Sequence, residues 1–251
     1  MQNLGIISGT VFLGDRHLDN GKKEVVETEF GTAVVIRTDR FLYIQRHGAA
    51  DGTHIPPHLI NNQANLRALQ ELGADVVIGI NSTGSLHTRL KPGTLIIPDD
   101  FIALSGTPTT VTDRAFHIIP ALSDEIRQGL IAAAVQCGTD VVREGIYWQT
   151  TGPRLETKAE IRMMARHADI VGMTMASEAV VACELGVPYA AICSVDNYCH
   201  GIVKKPLTID EIIEGARRNA DIIYTIITGY MNDTTVTGQA DHHPGKYQRK
   251  E

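Results

Sequence analysis

Apolar residues along the chain come in short clusters whose spacing alternates between two kinds. Runs rich in Val, Ile, Tyr and Phe occur at Leu4–Ile7, Ala33–Arg37, Phe41–Gln45, Val76–Ile80, Thr94–Ile97, Val141–Trp148, Ile170–Met173 and Tyr189–Val195. Val76-Val77-Ile78 and Leu95-Ile96-Ile97 are unbroken apolar stretches, the pattern of strands buried on both faces. Between the runs, apolar positions recur at helical spacing. Asn61–Leu72 carries Leu66 and Leu69 and stops at Gly73; Ser123–Cys137 carries Ile126, Leu130 and Ala134 and stops at Gly138. Ala159–His167 is rich in helix formers, and Ser177–Leu185 ends at Gly186 with Pro188 beyond. A last helix opens on Thr208-Ile209-Asp210-Glu211, a capping-box spacing, and runs to about Met231.

This alternation predicts an α/β fold: one domain over residues 1–231, a central mixed sheet flanked by helices on both faces. No internal repeat or Pro/Ser-rich linker divides it. Residues 232–251 are polar, contain His242-His243-Pro244-Gly245 and read as a disordered tail. At 251 residues and 43% hydrophobic, the chain can bury a sizeable core, which excludes intrinsic disorder and a disulfide-stapled miniprotein. Its 23 basic and 29 acidic residues give a net charge of −6, which argues against binding nucleic acid through a general phosphate attraction but leaves room for a local anion pocket. Cys137, Cys183, Cys193 and Cys199 have no paired framework and read as reduced thiols. With no expected signal peptide and no stretch of the length a membrane span needs, the expectation is a cytoplasmic protein.

Several signatures are missing: the P-loop, the G-x-G-x-x-G dinucleotide fingerprint and the G-x-S-x-G elbow. No metal is expected either. In His54-Ile55-Pro56-Pro57-His58 the prolines forbid the helix that would align both imidazoles, and Cys193, Cys199 and His200 form no tetrahedral set. What remains is a series of polar, glycine-bearing segments at strand ends: Ser8-Gly9-Thr10, Gln45-Arg46-His47-Gly48, Asn81-Ser82-Thr83-Gly84-Ser85, Gly152-Pro153-Arg154-Leu155-Glu156-Thr157, Gly172-Met173-Thr174 and Asp196-Asn197-Tyr198-Cys199-His200-Gly201. Each alone reads equally as an ordinary polar turn. In an α/β domain, however, strand ends converge on the crevice where small ligands bind. Together they describe an anion pocket, with Arg46 offering a planar fork for phosphate oxygens and His47 a further donor, and no covalent nucleophile.

These segments, with Pro56-Pro57-His58, Asn61–Asn65, Gly84-Ser85-Leu86 and Pro98-Asp99-Asp100-Phe101, occur in an order and spacing that resemble the trimeric purine nucleoside phosphorylases, over roughly residues 4–230. More narrowly, they resemble the 5'-methylthioadenosine/5'-methylthioinosine phosphorylase branch. The resemblance implies cleavage of a purine nucleoside by inorganic phosphate, giving free purine and an α-pentose 1-phosphate with no cofactor. It puts phosphate contacts at Thr10, Arg46, His47, Asn81, Ser82 and Thr174, and a sugar contact at Met173. Base contacts fall at Glu156 and Asn197, which are the expected catalytic residues, with Leu155, Tyr198 and Cys199 beside them. It also implies a homotrimer in which His117 reaches the neighbouring subunit's site; a histidine confined to its own subunit is the alternative. Three departures from the family pattern stand out: Ser8 and Val11 replace glycines of the first loop, Ala49–His54 is about two residues longer than usual, and Ser177 stands where a proline is common.

Base and sugar preference follow from the same positions. A 6-oxopurine carries an N1–H that the Glu156 carboxylate can accept, whereas adenine offers a bare lone pair. Relatives specific for adenine usually have a small hydroxyl residue at the Glu156 position and aspartates at those of Asn197 and Cys199. A histidine that binds the 5'-hydroxyl in inosine/guanosine enzymes falls at Ile209, with Leu207 and Ile213 expected on the same side. The favoured substrate is therefore 5'-methylthioinosine, ahead of general 6-oxopurine nucleosides and then 5'-methylthioadenosine. A phosphate-independent nucleosidase and a non-catalytic nucleoside-binding protein are the readings of another class.

Overall fold

The computed structural model describes residues 3–9, 17–18, 21–104, 106–204 and 207–233, and of Ile209 and Glu211 the backbone alone. Ten strands and five α-helices fall within them: β1 (Leu4–Ser8), β2 (Lys22–Thr28), β3 (Gly31–Arg37), β4 (Phe41–Gln45), α1 (Asn62–Glu71), β5 (Val76–Ser85), β6 (Leu95–Ile96), β7 (Asp100–Ala103), α2 (Asp124–Gln136), β8 (Ile146–Gln149), α3 (Lys158–Met164), β9 (Ile170–Gly172), α4 (Met175–Leu185), β10 (Tyr189–Tyr198) and α5 (Ile209–Asn232). The sheet runs β2-β3-β4-β1-β5-β9-β8-β7, and β10 pairs with β5 and β6. Parallel pairs β1–β4, β1–β5 and β5–β10 form its centre, and antiparallel pairs β2–β3, β3–β4 and β5–β9 make it mixed.

Strand alternation sends successive side chains to opposite faces, and each face receives its own helices. Ile6, Tyr43 and Ile78 pack with Ile126 and Leu130 of α2 and Ala216, Ile223 and Ile227 of α5. Ile7, Ile44 and Val77 pack with Leu66 and Leu69 of α1 and Ala179 and Ala182 of α4. The expected two-sided α/β architecture is thus the observed one, within the described residues. Helix ends follow local chemistry. Asn61 and Ser123 cap α1 and α2 through their side chains, Thr157 and Glu160 form a capping box on α3, and Gly186 closes α4 in the left-handed region at φ 70°. The Glu211 side chain of the expected α5 capping box lies outside the described residues, as do residues 234–251 of the expected tail.

The differences from the sequence reading are informative. β2 and β7, at the two ends of the sheet path, carry no long apolar run: β2 reads Lys-Lys-Glu-Val-Val-Glu-Thr and is largely exposed. An edge strand needs only one buried face, and charge on it discourages further pairing. The expected strand Val141–Trp148 shrinks to β8, with Val142 making only an isolated bridge to Ile96. α4 begins at Met175, before the expected Ser177. β5 and β10 run past their apolar halves, so Asn81–Ser85 and Asp196–Tyr198 are strand residues and not turns. Between Val195 and Asn197 the β5–β10 register shifts, leaving Asp196 as an extra, bulged residue.

Candidate active site

The polar halves of β5 and β10, the chain after β4, the loop after β8 and the β9–α4 junction enclose a cleft of about 230 Å³. Of the residues expected at a site, Arg46, His47, Ser82, Leu155, Glu156, Met173, Thr174, Asn197 and Cys199 line it. Thr10 and the Ile209 side chain lie outside the described residues. Asn81 stands behind the wall, its Nδ2 donating to Thr174 Oγ1 at 2.9 Å. That bond leaves the Thr174 hydroxyl proton free for a ligand. Thr174 is also the N-cap residue of α4, but its side chain caps nothing.

Tyr198 does not join the site. It follows Asn197 on β10, so its side chain takes the opposite face from Asn197 and Cys199, and its hydroxyl donates to the Thr88 carbonyl. Ile213 is likewise 39% exposed and off the wall, while Leu207 and Ile212 line the α5 end. His117 is exposed on its own chain and is not among the cleft's lining residues.

Arg46 departs most from expectation. Its fork is committed to the protein: Nε donates to Glu178 Oε1 at 2.6 Å and Nη2 to Glu178 Oε2 at 3.1 Å, and further bonds go from Nη2 to the Ile7 carbonyl and from Nη1 to that of Ile80. Four of the five N–H groups of a guanidinium are thereby used, leaving one on Nη1. That nitrogen borders Gly9, where a Cβ would come within 2.8 Å of it and 3.0 Å of His47 Nε2, so only glycine leaves both groups open. Burial alone would push Arg46 down, but the charge and hydrogen bonds of Glu178 outweigh it and hold the group above its ordinary value. Glu178 Oε2 also accepts from the buried Tyr189 hydroxyl at 2.7 Å. Glu178 is the residue whose role the sequence reading missed; the available signal was that a buried arginine requires a carboxylate partner.

His47 is held by its Nδ1–H, which donates to the Ile55 carbonyl at 2.8 Å, and His54 stacks on its ring at 5.1 Å. Burial pushes its pKa down to about 4; the Ile55 bond partly offsets this, while Arg46 and His54 add to it. The imidazole is therefore neutral at pH 7 with its Nε2 lone pair outward, so at that atom it is an acceptor and not the further donor expected from the sequence. Ser177, where a proline is common in the resembling family, has a local reason. Its N–H donates to Gln149 Oε1 at 3.0 Å and its Oγ accepts from Gln149 Nε2 at 2.6 Å, tying α4 to β8 beneath the cleft. A proline would remove both bonds.

At the other end, the Thr150 hydroxyl donates to Glu156 Oε1 at 2.7 Å, and the Asn197 amide lies on the Tyr198 carbonyl at 3.1 Å. Beneath Asn197, Asn219 Nδ2 of α5 donates to Ser194 Oγ at 2.9 Å, and Ser194 in turn donates to Asp196 Oδ1. Asp196 Oδ2 is buried without a hydrogen-bond partner among the described residues. Burial pushes its pKa up to about 7, against smaller downward pulls from Ser194, Ser82 and Arg218. Between about pH 4 and 7 the folded chain keeps a proton that the unfolded chain has released, so this group's contribution to stability is lost as pH rises through 7. Asp196→Asn removes that dependence. Its thermal midpoint relative to wild type is expected to rise between pH 5 and pH 8, by up to about 2.5 kcal/mol of stability and several degrees. A difference that stays constant with pH would contradict this.

The fold is an α/β protein whose cleft is lined by Arg46, His47, Ser82 and Thr174 together with the Glu156 carboxylate and the Asn197 amide. Residues 4–232 match the phosphorylase superfamily, and the chain belongs to that family. A probable 6-oxopurine nucleoside phosphorylase of Archaeoglobus fulgidus is 42% identical over 86% of this chain and 90% of its own. A probable S-methyl-5'-thioinosine phosphorylase of Methanocaldococcus jannaschii is 35% identical over 91% and 92%. Among solved structures, a variant adenosine/methylthioadenosine phosphorylase of Schistosoma mansoni in complex with methylthioadenosine superposes with a TM-score of 0.80 at 26% identity, covering 92% of this chain and 91% of that one.

Proposed function

We propose that this chain cleaves the N-glycosidic bond of 6-oxopurine nucleosides with inorganic phosphate, as a pentosyltransferase. The observation that carries the reading is a single cleft lined by Arg46, His47, Ser82 and Thr174 together with Met173, Glu156 and Asn197. Phosphate held by the Arg46 Nη1–H, Ser82 and the Thr174 hydroxyl sits against the sugar's anomeric carbon. As the C1'–N9 bond breaks, its electron pair leaves with the purine, the sugar becomes oxocarbenium-like, and a phosphate oxygen forms the new C1'–O bond. Donors aimed at charge that develops in the transition state are what accelerate such a step. The Asn197 amide donates to purine N7 as negative charge accumulates there, Glu156 accepts the N1–H, and the departing purine anion takes up a proton from solvent. No cofactor enters this reaction; phosphate is the co-substrate.

For the 5' end, Leu207 and Ile212 form an apolar lining that supports 5'-methylthioinosine over inosine, since a hydroxyl there loses its water without gaining a partner. Burying the methylthio group contributes about 1–3 kcal/mol, or roughly 10–200-fold in kcat/KM. The 6-oxopurine and methylthioinosine relatives support both halves of this specificity. Base release from methylthioinosine and inosine, measured with and without phosphate, is expected to require phosphate and to favour the methylthio substrate. Release without phosphate would make the protein a nucleosidase, no release a binding protein, and faster inosine cleavage would remove the apolar 5' pocket.

The homotrimer expected from the resemblance belongs to the same proposal. Leu104, Phe116 and Ile119 are 77%, 44% and 80% exposed along the extended segment that carries His117, an apolar surface suited to a neighbouring subunit. A fully active monomer by light scattering would contradict it. All four cysteines are free, which supports a reducing, cytoplasmic setting; separately, among the described residues no helix is long and apolar enough to cross a membrane.

A further inference from the structure

Glu156 is almost wholly buried, 9% exposed, yet among the described residues its carboxylate receives a single hydrogen bond, from the Thr150 hydroxyl to Oε1 at 2.7 Å. Oε2 has no protein partner, and Glu156 lines the cleft. Thr150 itself does not line it. Its backbone N–H donates to the Gly172 carbonyl at 2.9 Å, which prolongs the parallel β8–β9 pairing by one residue and fixes the hydroxyl against the sheet. A carboxylate on a flexible side chain cannot discriminate between bases unless one of its oxygens is aimed. Here one oxygen is tethered and the other is left for the ligand.

We propose that Thr150 is a specificity-positioning residue: by holding Glu156 Oε1, it aims Oε2 at the N1–H of a 6-oxopurine. The inference rests on the reading of Glu156 as the base-contacting carboxylate. Thr150 touches no reacting atom and acts only through Glu156. Its removal is therefore felt where the base is bound, in ground state and transition state alike, and not in the bond-breaking step.

The test is steady-state kinetics on inosine and adenosine at saturating phosphate for wild type, Thr150→Val, Thr150→Ser and Glu156→Gln, with thermal midpoints for each. Valine keeps the shape of threonine and deletes the donor. Losing a hydrogen bond to a charged group is expected to raise KM for inosine about 10-fold and to lower the inosine-to-adenosine ratio of kcat/KM by about the same factor. The kcat for inosine should stay within about 2-fold, and Thr150→Ser should retain wild-type selectivity. If Glu156→Gln erodes the ratio but Thr150→Val does not, Thr150 has no positioning role and the base-site reading stands. If Thr150→Val slows both nucleosides equally, or Thr150→Ser is as unselective as valine, the role is structural and the proposal is overturned. If Glu156→Gln leaves the ratio unchanged, the base-site reading fails first and this inference with it. Should the valine variant not fold, Thr150→Ala takes its place under the same criteria.

Discussion

Arg46→Ala is expected to slow phosphorolysis by two to three orders of magnitude and, at the same time, to lower the stability of the fold by about 3–5 kcal/mol. Both effects have one origin. The guanidinium is 2% exposed and bound through Nε and Nη2 to Glu178, a fully buried carboxylate. Breaking a buried pair by removing one partner strands the other charge in a low-dielectric interior, which costs far more than the intact pair contributes. In the proposed function the remaining Nη1–H is the donor to phosphate, and losing one donor to charge in the transition state costs about 2.7–4 kcal/mol, or two to three orders of magnitude in rate. A paired substitution separates the effects. Arg46→Met with Glu178→Leu removes both charges, and is expected to regain part of the stability in urea denaturation, since the Tyr189 hydroxyl and the Ile7 and Ile80 carbonyls still lose their partners, while staying as slow as Arg46→Ala at any phosphate concentration. An active double variant, or an active Arg46→Ala enzyme at low phosphate, would sink the anion-site assignment.

Glu156→Gln should have the largest effect on base choice. The Thr150 hydroxyl would hold the glutamine carbonyl oxygen as it holds Oε1, turning the amide N–H groups to the cleft. Those groups meet the N1 lone pair of adenine favourably and oppose the N1–H of hypoxanthine. A site built to accept a substrate donor can reject the analogue lacking it by up to about 10⁴. The inosine-to-adenosine ratio of kcat/KM is therefore expected to fall by two to four orders of magnitude, with the thermal midpoint little changed. A variant that still prefers inosine as strongly as wild type would remove Glu156 from the base site.

Much of this was legible along the chain because hydrophobic periodicity reports side-chain burial. Val76–Ile80, Leu4–Ile7 and Tyr189–Val195 read as strands since both of their faces meet helices, and α1, α2 and α4 end near the glycines that mark them. Several of the polar residues beyond those strands, Ser82 and Asn197 among them, line the cleft, since polar side chains at the ends of buried strands need solvent or a hydrogen-bond partner.

Tertiary structure decided what periodicity cannot carry. Backbone pairing continues through polar residues whenever a partner strand is present, so Asn81–Ser85 and Asp196–Tyr198 are strand, and the bulge at Asp196 sets which side chains enter the site. The edge strands β2 and β7 escaped notice because one solvated face leaves half the signal. Arg46 and Glu178, 132 residues apart, are joined only by folding. The sequence by itself determined the buried strands, the helices and which residue types gather at their ends. Only the folded structure decided that the Arg46 fork is spent on Glu178, that His47 is neutral, that Tyr198 faces away and that Thr150 holds Glu156. A residue's type sets what it can donate or accept, whereas its partner is whichever group the packing of distant segments brings within about 3 Å.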